Sequence, residues 1–316
     1  QRCAKPDIRS AAQKKAHPKA TLEESDYTNA ESLIRILKGS EPPVISIENH
    51  PTYAPGGKTY LLPNGKEYQP GDEIQAALEG LGYAVDVKII QASDYGGASS
   101  RRRMVMRAVK TEDLKGVSFD KMYPMPPKTG PTDWFDAIRD LVVDAPFVTN
   151  FETLRGMKGQ MQALNKLIAA GLIEKSTTSK PIINMGGNWI GKDKKTGKIT
   201  NKGGFKNSYL KRSPTPSPAF TRGQRVARIM FPDGSGGWRV KEVSPDMMKR
   251  LMGLGDDFTL PSDITRKKAA DALGNGMHAA TTQAGIESIL RKRLLGEVDH
   301  GTVDEFTDEA GNYIGA

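Results

Sequence analysis

A short apolar strand, a helix and two further strands follow one another between residues 44 and 109, and this order constrains the fold most. Residues 44–47 form an apolar run typical of a buried strand, and the segment that follows Asp72, its expected N-cap, repeats apolar positions on one helical face. Residues 83–89 alternate as a strand, and residues 104–109 form another. Strands alternating with helices predict an α/β fold whose strand ends can carry a site.

The composition narrows the class of protein further. Of the 316 residues, 37% are hydrophobic and 26% are charged, which is typical of a globular domain and not of a disordered chain. No apolar run approaches the ~20 residues of a membrane span. The single cysteine excludes a disulfide scaffold and a cysteine-cluster zinc site, and the four histidines lack metal-ligand spacing. We therefore expect a cytoplasmic protein that needs neither a membrane nor a metal ion.

Basic residues outnumber acidic ones by 46 to 37, which gives a formal net charge of +9. Excess positive charge indicates a polyanionic partner, most often nucleic acid. Residues 189–212 combine cations with aromatic rings in a loop-like stretch, and both kinds of side chain can contact nucleic acid. This stretch contains Trp189, Lys192, Lys194, Lys195, Lys198, Lys202, Phe205, Lys206, Tyr209, Lys211 and Arg212. An ordinary solvated surface loop is the alternative.

Changes in composition divide the chain into four regions. Half of the 20 prolines and the long Gly-rich loops fall in one block between two more regular ones. We expect a first α/β portion, an inserted irregular domain, a compact return to the first portion and a loose acidic tail. These regions are residues 1–110, 111–240, 241–296 and 297–316. Within them, periodicity predicts helices at 133–143, 157–170 and 245–254, and a helix or helix pair at 264–295 that Gly274-Asn275-Gly276 interrupts.

Four short elements, in a fixed order, resemble those of one enzyme family. Ile45-Ser46-Ile47-Glu48-Asn49 resembles the strand and Glu-Asn element of DNA (cytosine-5)-methyltransferases. Tyr83-Ala84-Val85, Asp94-Tyr95-Gly96 and the pair Arg101 and Arg103 resemble the next element. After the block 111–240, residues 243–258 resemble the element that scaffolds the family's target-recognition domain, and Gly274-Asn275-Gly276-Met277 resembles the Gly-Asn-Ala element of its closing helix. The resemblance covers residues 44–295, and its specificity lies in the order of the elements.

The resemblance implies both a fold and a function. The fold would be an incomplete Rossmann-like methyltransferase sheet with an inserted irregular target-recognition domain, residues 111–240. The chain would transfer a methyl group from S-adenosylmethionine to C5 of a flipped cytosine in duplex DNA. Such an enzyme would belong to restriction-modification or related DNA methylation in a bacterium or its phage.

The resemblance also assigns chemical roles to named residues. Cytosine C5 is a poor nucleophile, and in the family a cysteine thiolate adds to C6 so that C5 can attack the methyl group. Glu48 would supply the acid at N3, where negative charge would otherwise accumulate. Arg101 would approach the base at O2 and favour the thiolate, while Arg103 would support the local backbone, and Asn49 would fix the loop. The alternatives are an ordinary surface glutamate and a basic edge, residues 101–103, that binds phosphate.

Cofactor contacts are implied near the end of the resemblance. In the family this segment returns to the cofactor side of the sheet, so Asn275 and Met277 are expected to contact S-adenosylmethionine. Helix packing around a glycine kink is the alternative. The adjacent acidic residues Asp256 and Asp257 are expected to belong to the scaffold and not to a metal site.

Two family features are missing from the sequence ahead of residue 44. No Gly-rich cofactor loop resembles the family's first element, and Gly186-Gly187 lies outside any strand–helix context. In the family the nucleophilic cysteine follows a proline and precedes the Glu-Asn element by about forty residues. Cys3 stands at about this distance before Glu48 and is the candidate nucleophile, but Arg2 replaces the proline. Alternatively, Gln1 is the residue after a nucleophilic cysteine that this chain lacks. We expect an enzyme truncated at its amino terminus, with the cofactor segment missing or separate. A non-catalytic DNA-binding relative, or the carboxyl-terminal subunit of a split methyltransferase, is the alternative.

Three smaller departures from the family occur at or near the candidate site. His50 stands where the family has Val, and its position beside Glu48 predicts an effect on the pKa of that carboxyl group. Ser99 stands where the family has Gln, which reaches further into the gap that a flipped base leaves. Gly276 stands where the family has Ala.

Overall fold

A computed structural model describes the part of the chain that carries the predicted elements. It covers residues 24–57, 59–61, 67–154, 157–169, 171, 181–184, 190–192, 199–201, 210–212, 216–218, 227–235 and 237–294. Its helices are α1 (Glu24–Ser40), α2 (Pro70–Gly80), α3 (Phe119–Met122), α4 (Trp134–Asp144), α5 (Met157–Ala169), α6 (Pro245–Leu251), α7 (Arg266–Asn275) and α8 (Ala279–Leu294). None of these helices is both long enough and apolar enough to cross a bilayer.

Short strands make up the rest of the regular structure. They are β1 (Val44–Asn49), β2 (Tyr60–Leu61), β3 (Glu67–Tyr68), β4 (Tyr83–Gln91), β5 (Ser99–Ser100), β6 (Arg102–Lys110), β7 (Ile182–Asn184), β8 (Ile190–Lys192), β9 (Ile199–Asn201), β10 (Leu210–Arg212), β11 (Ser217–Pro218), β12 (Arg228–Pro232) and β13 (Trp238–Glu242).

The sheet that carries the candidate site has the strand order β1-β6-β4 among the described residues. Both outer strands are antiparallel to the central β6. The carboxyl ends of β1 and β4 therefore lie at the same edge of the sheet as the beginning of β6. This arrangement brings the Glu-Asn element and the Arg-x-Arg element together, although they are far apart in sequence.

Helices cover both faces of this sheet, as alternation along the strands requires. On one face, Met104 and Met106 of β6 pack with Leu37 of α1 and Leu78 of α2. On the other face, Val109 belongs to a buried cluster with Ile289 of α8. Gly285 of α8 lies so close to this face that a Cβ there would be 2.7 Å from Cγ1 of Val105. The predicted α/β class is confirmed.

A second sheet lies in the region expected to be an insert. Its strand order is β10-β7-β12-β13, with antiparallel pairing throughout. Trp134 and Ile138 of α4 and Ile229 of β12 share one buried cluster with Met248 of α6 and Leu273 of α7. The described part of residues 111–240 therefore completes its core with residues that follow the block, so we expect the block to need them in order to fold.

The predicted helix boundaries hold for α4 and for the α7–α8 pair but not for α2. Asp133 caps α4 by accepting a hydrogen bond from the Phe135 N–H. The sequence predicts Asp72 as the N-cap of α2, but the helix begins earlier, at Pro70, because proline fits a first helical turn that needs no N–H. Asp72 instead accepts a hydrogen bond of 2.9 Å from the Gly56 N–H, which ties the segment after β1 to α2.

The segment that follows Glu48 also rests against the first turn of α2, at Gly71. A Cβ on Gly71 would lie 2.8 Å from both the Ala54 carbonyl carbon and the Pro55 nitrogen, and closer still to the Tyr53 carbonyl oxygen. All three are backbone atoms, so the chain itself would have to move. We expect Gly71→Ala to lower the free energy of unfolding by about 1–3 kcal/mol, measured by urea denaturation.

Gly80 provides the matched control in the same helix. A Cβ there would meet no atom within 4 Å. Gly80→Ala should therefore be neutral or stabilising by up to ~1 kcal/mol, since alanine favours helix over glycine. Equal effects of the two substitutions would show that the segment after β1 does not depend on close approach to α2.

Candidate active site

Glu48 and Arg103 meet at the edge where β1 ends and β6 begins. Glu48 pairs in register with Val105, so the side chain two residues before Val105 is its diagonal neighbour on the same face. Arg103 occupies that position, and its Nε lies 2.9 Å from Oε1 of Glu48. The two side chains are only 17% and 11% exposed. A carboxyl group and a guanidinium are therefore held together where they are largely shielded from solvent.

Arg101 lies nearby but faces a different partner. Its side chain is 1% exposed, and Nη1 and Nη2 donate hydrogen bonds of 3.2 and 3.1 Å to the Gly274 carbonyl. Nη2 also donates to the Gly276 carbonyl at 2.5 Å. The sequence predicts that Arg101 approaches the base and that Arg103 supports the backbone. In the structure the end of α7 lies against Arg101, and the diagonal position on β6 puts Arg103 at Glu48. Which of the two arginines contacts a base stays a prediction.

Burial and the two arginines act in opposite directions on Glu48. Burial raises the pKa of this carboxyl group above its ordinary value, and the positive charges of Arg103 and Arg101 oppose the rise. Burial also lowers the pKa of Arg101 to about 10, which leaves the guanidinium charged at neutral pH. The site therefore combines a carboxyl group that takes up a proton more readily than usual with fixed positive charge.

The loop that follows Glu48 is ordered by its own polar side chains. The Asn49 side-chain oxygen accepts a hydrogen bond of 2.7 Å from the His50 N–H. His50 in turn caps the 3-10 turn Pro51–Tyr53 through Nδ1, which accepts from the Thr52 N–H. Burial, Arg103 and Arg101 lower the pKa of His50, so its imidazole is neutral at neutral pH. The sequence predicts an effect of His50 on the pKa of Glu48; the shift instead comes from burial and the arginines.

The Asp-Tyr-Gly element forms a tight loop after β4, at the same end of the sheet as Glu48. Gly96 adopts a positive φ of 79°, which favours glycine, and its N–H donates to the Gly130 carbonyl. Ser99 is fully buried in β5, which pairs in parallel with β11 at Ser217. The position at which the family has Gln is thus enclosed by β11, and the Ser99 side chain does not reach outwards.

Asn275 ends α7 and Met277 lies just beyond it, so both belong to residues 274–278, the α7–α8 break. Both are exposed, Met277 by 54%, while Gly274 and His278 beside them are buried. An amide and a thioether directed outwards suit a ligand that has both polar and apolar parts, as S-adenosylmethionine does. The described residues here fit one edge of such a site, and the contact itself stays a prediction.

His278 is a buried residue of the site region that the sequence did not single out. It is fully buried, and its Nδ1 accepts a hydrogen bond from the Ala280 N–H at the start of α8. Burial, then the charge of Arg101, lowers its pKa to about 4. No pattern around His278 in the sequence distinguishes it from a surface histidine, because its burial depends on three segments that meet only in the fold.

This low pKa predicts how stability depends on pH. Between pH 6.5 and about 4 the unfolded chain binds a proton at His278 and the folded chain does not, so the free energy of unfolding falls as the pH falls. The contribution is at most about 1.4 kcal/mol per pH unit. His278→Asn keeps a side-chain acceptor near Ala280 but does not titrate, so its pH dependence should be shallower. The difference between the two proteins should be constant above pH 7; parallel curves at all pH values would contradict the shift.

Several predicted features fall outside the described residues. Cys3 and the tail 297–316 are among them, and in the basic stretch 189–212 only strands β8, β9 and β10 are described. Within the described ranges, no group of three or more His, Cys, Asp or Glu side chains is arranged to hold a metal ion. The nucleophile and the division into four regions stay predictions.

Comparison with known proteins identifies the family. Residues 30–291 match the family model for C-5 cytosine-specific DNA methylase, which is most of the chain. The chain therefore belongs to the C-5 cytosine-specific DNA methylase family, whose members are methyltransferases. The family suggested by the order of the four elements is confirmed.

Solved structures of methyltransferases are similar to this chain at low identity. A prophage-encoded E. coli protein described as a DNA modification methyltransferase is 15% identical, with a TM-score of 0.47 over 87% of this chain and 76% of that one. The S. pombe Dnmt2 methyltransferase is 14% identical, with a TM-score of 0.46 over 86% and 74%. The Entamoeba histolytica methyltransferase EhMeth is also 14% identical, with a TM-score of 0.44 over 84% and 74%. Comparison with curated proteins found no match.

Proposed function

We propose that this chain carries the base-reacting site of a DNA (cytosine-5)-methyltransferase and acts on a cytosine flipped out of duplex DNA. The observation that carries the proposal is the largely buried ion pair of Glu48 and Arg103 at one edge of the sheet. A base inside a duplex exposes neither its N3 nor the faces of C5 and C6 to such a site, so the base has to leave the stack.

Glu48 provides the proton at N3 of the flipped base. Addition of a thiolate to C6 would place negative charge on N3, and a carboxyl group positioned there neutralises that charge in the transition state. Burial raises the pKa of Glu48, which brings the acid closer to the protonated form that this role needs.

Arg103, and not Arg101, holds the O2 carbonyl of the base. Its Nε lies against Glu48 and its Nη1 donates to the Arg102 carbonyl, while Nη2 makes no hydrogen bond with a described residue. A planar guanidinium can use one edge for a carboxylate and another for a carbonyl, which a lysine cannot. One arginine can thus orient both the acid and the base.

The thiolate that adds to C6 comes from Cys3 or from a cysteine outside this sequence. When bound, S-adenosylmethionine supplies the methyl group for C5. Asn275 and Met277 are the residues of this chain that would contact it. The Gly-rich cofactor element would come from a segment or polypeptide beyond these residues.

Duplex DNA is the proposed partner, and the block 111–240 its reader. The net charge of +9 and the basic aromatic stretch 189–212 support electrostatic contact with phosphates. We expect the whole chain to bind duplex DNA with an affinity that falls about 10-fold or more between 50 and 200 mM salt. The whole chain is the appropriate material, because α4 and β12 share a core with α6 and α7. Affinity independent of salt would contradict phosphate contacts.

Transfer of a labelled methyl group tests the function as a whole. A polypeptide that extends this chain through the Gly-rich cofactor element is incubated with labelled S-adenosylmethionine and either a cytosine-containing duplex or the same duplex with every cytosine already methylated at C5. Label in the first duplex alone is the expected result. DNA binding without transfer would instead favour the DNA-binding relative, and transfer only after a second polypeptide is added would favour the split enzyme.

A further inference from the structure

The break between α7 and α8 alternates between buried anchors and exposed side chains. Gly274 and His278 are buried, whereas Asn275 and Met277 are exposed. Residues between two helices that no other segment contacts sample many backbone conformations, so their side chains have no fixed direction. The regular alternation here means that the break is held from both ends.

Arg101 holds the end of α7. Its guanidinium spans the Gly274 and Gly276 carbonyls with three hydrogen bonds. The last carbonyls of a helix have no partner within the helix and lie at the negative end of its dipole, so a buried guanidinium both satisfies them and complements their charge. Gly276, the C-cap of α7, is fixed by the same side chain.

His278 holds the start of α8. Its Nδ1 accepts from the Ala280 N–H, and its carbonyl accepts from the Thr281 and Thr282 hydroxyl groups. The ring also lies between two glycines of other segments. A Cβ on Gly97 would be 3.0 Å from Cε1 of the ring, and a Cβ on Gly253 would be 3.3 Å from the same atom.

Three segments that resemble family elements therefore meet at one imidazole. Gly97 follows the Asp-Tyr-Gly loop, Gly253 follows α6, and His278 immediately precedes α8. The Ala279 N–H also donates to the Met252 carbonyl at 3.1 Å, which adds a backbone contact between the last two. A Cβ at either glycine would therefore crowd the ring.

From these contacts we propose that Arg101 and His278 are positioning residues, which fix the α7–α8 break so that Asn275 and Met277 face a ligand in a preformed arrangement. The ligand is S-adenosylmethionine, so this inference rests on the proposed function. Arg101 lies two residues before Arg103, which contacts Glu48, so one short stretch of chain fixes both the acid at the base and the break at the cofactor. Pre-organisation of this kind lowers the entropy lost on binding.

Hydrogen–deuterium exchange of the whole chain, without ligand, tests the fixing itself. Arg101→Met removes the hydrogen bonds to Gly274 and Gly276, and Arg102→Met is the matched control because Arg102 is exposed. We expect the amides of residues 276–282 to exchange at least ~10-fold faster in Arg101→Met, and at the wild-type rate in Arg102→Met. Equal exchange in the three proteins would overturn the proposal.

Affinity for S-adenosylmethionine, measured by equilibrium dialysis without DNA, tests the consequence. Arg101→Met should raise the Kd by about 10-fold or more, while its affinity for duplex DNA should stay within about 2-fold of wild type. An unchanged Kd for S-adenosylmethionine would overturn the proposal. Failure of the wild-type protein to bind S-adenosylmethionine even together with a segment that carries the Gly-rich element, with normal protection of the break, would instead contradict the proposed function and leave the fixing intact.

A pair of substitutions at His278 keeps the test decisive if Arg101→Met does not fold. His278→Asn retains an acceptor for the Ala280 N–H, and His278→Ala removes it. Both leave the Arg101 contacts in place. We expect fast exchange at residues 276–282 in His278→Ala and substantial recovery of protection in His278→Asn. Wild-type exchange in His278→Ala would contradict the role of this ring.

Discussion

Methyl transfer by Glu48→Gln is expected to be at least ~100-fold slower than by the wild type, the loss typical of a positioned general acid. Glutamine has the shape of glutamate and keeps an oxygen that can face Arg103, but it cannot deliver a proton to N3. The substitution also removes a buried charge beside Arg103, so folding should survive. The effect should fall on kcat, because the proton is needed only as C6 becomes bonded to sulfur.

Glu41→Gln is the matched control for this substitution. Glu41 precedes β1 and pairs with Lys110, and its side chain is 53% exposed. It should transfer methyl groups at the wild-type rate. Turnover by Glu48→Gln near that of Glu41→Gln would remove Glu48 from the mechanism.

Arg103→Met is expected to reduce methyl transfer by a similar factor, about 100-fold, because it removes the group that orients both the acid and the base. Arg103 contributes a positive charge that lowers the pKa of Glu48. Without it the pKa of the carboxyl group should rise further, and the pH at which activity changes with Glu48 ionisation should move upward. Arg102→Met, an exposed neighbour, should leave both the rate and the pH profile unchanged.

The double variant Glu48→Gln with Arg103→Met distinguishes one site from two. Residues that act as a unit show losses that are far from additive. We expect the double variant to be little slower than either single variant. Fully multiplicative losses would mean that the two side chains act independently, in spite of the 2.9 Å contact between them.

The sequence predicts the backbone of this site better than its contacts. The apolar run before Glu48 and the alternation of β4 are local patterns, so their strands appear where periodicity places them. The two glycines at residues 274 and 276 likewise predict the break between α7 and α8. Pro70 outweighs Asp72 at the start of α2, where the sequence allows either residue to set the boundary.

The sequence alone does not predict which distant segments contact one another. Arg101 and Arg103 are of the same residue type and lie two positions apart, and nothing local shows that one meets Gly274 while the other meets Glu48. The burial of His278 depends on Gly97 and Gly253, which have no periodic relation to it. The burial of Ser99 depends on pairing with Ser217, which lies far along the inserted region.

Covalent trapping tests the central claim most directly, namely that Glu48 acts on a base held in this site. A duplex with 5-fluorocytosine at the target position cannot complete the reaction, so an enzyme that adds a thiolate to C6 stays bonded to the DNA and runs as a complex in a denaturing gel. We predict that wild-type protein that includes the nucleophilic cysteine and the Gly-rich cofactor segment forms this complex with S-adenosylmethionine, and that Glu48→Gln in the same protein forms it at least ~100-fold more slowly. Formation of the complex by Glu48→Gln at the wild-type rate would contradict the claim.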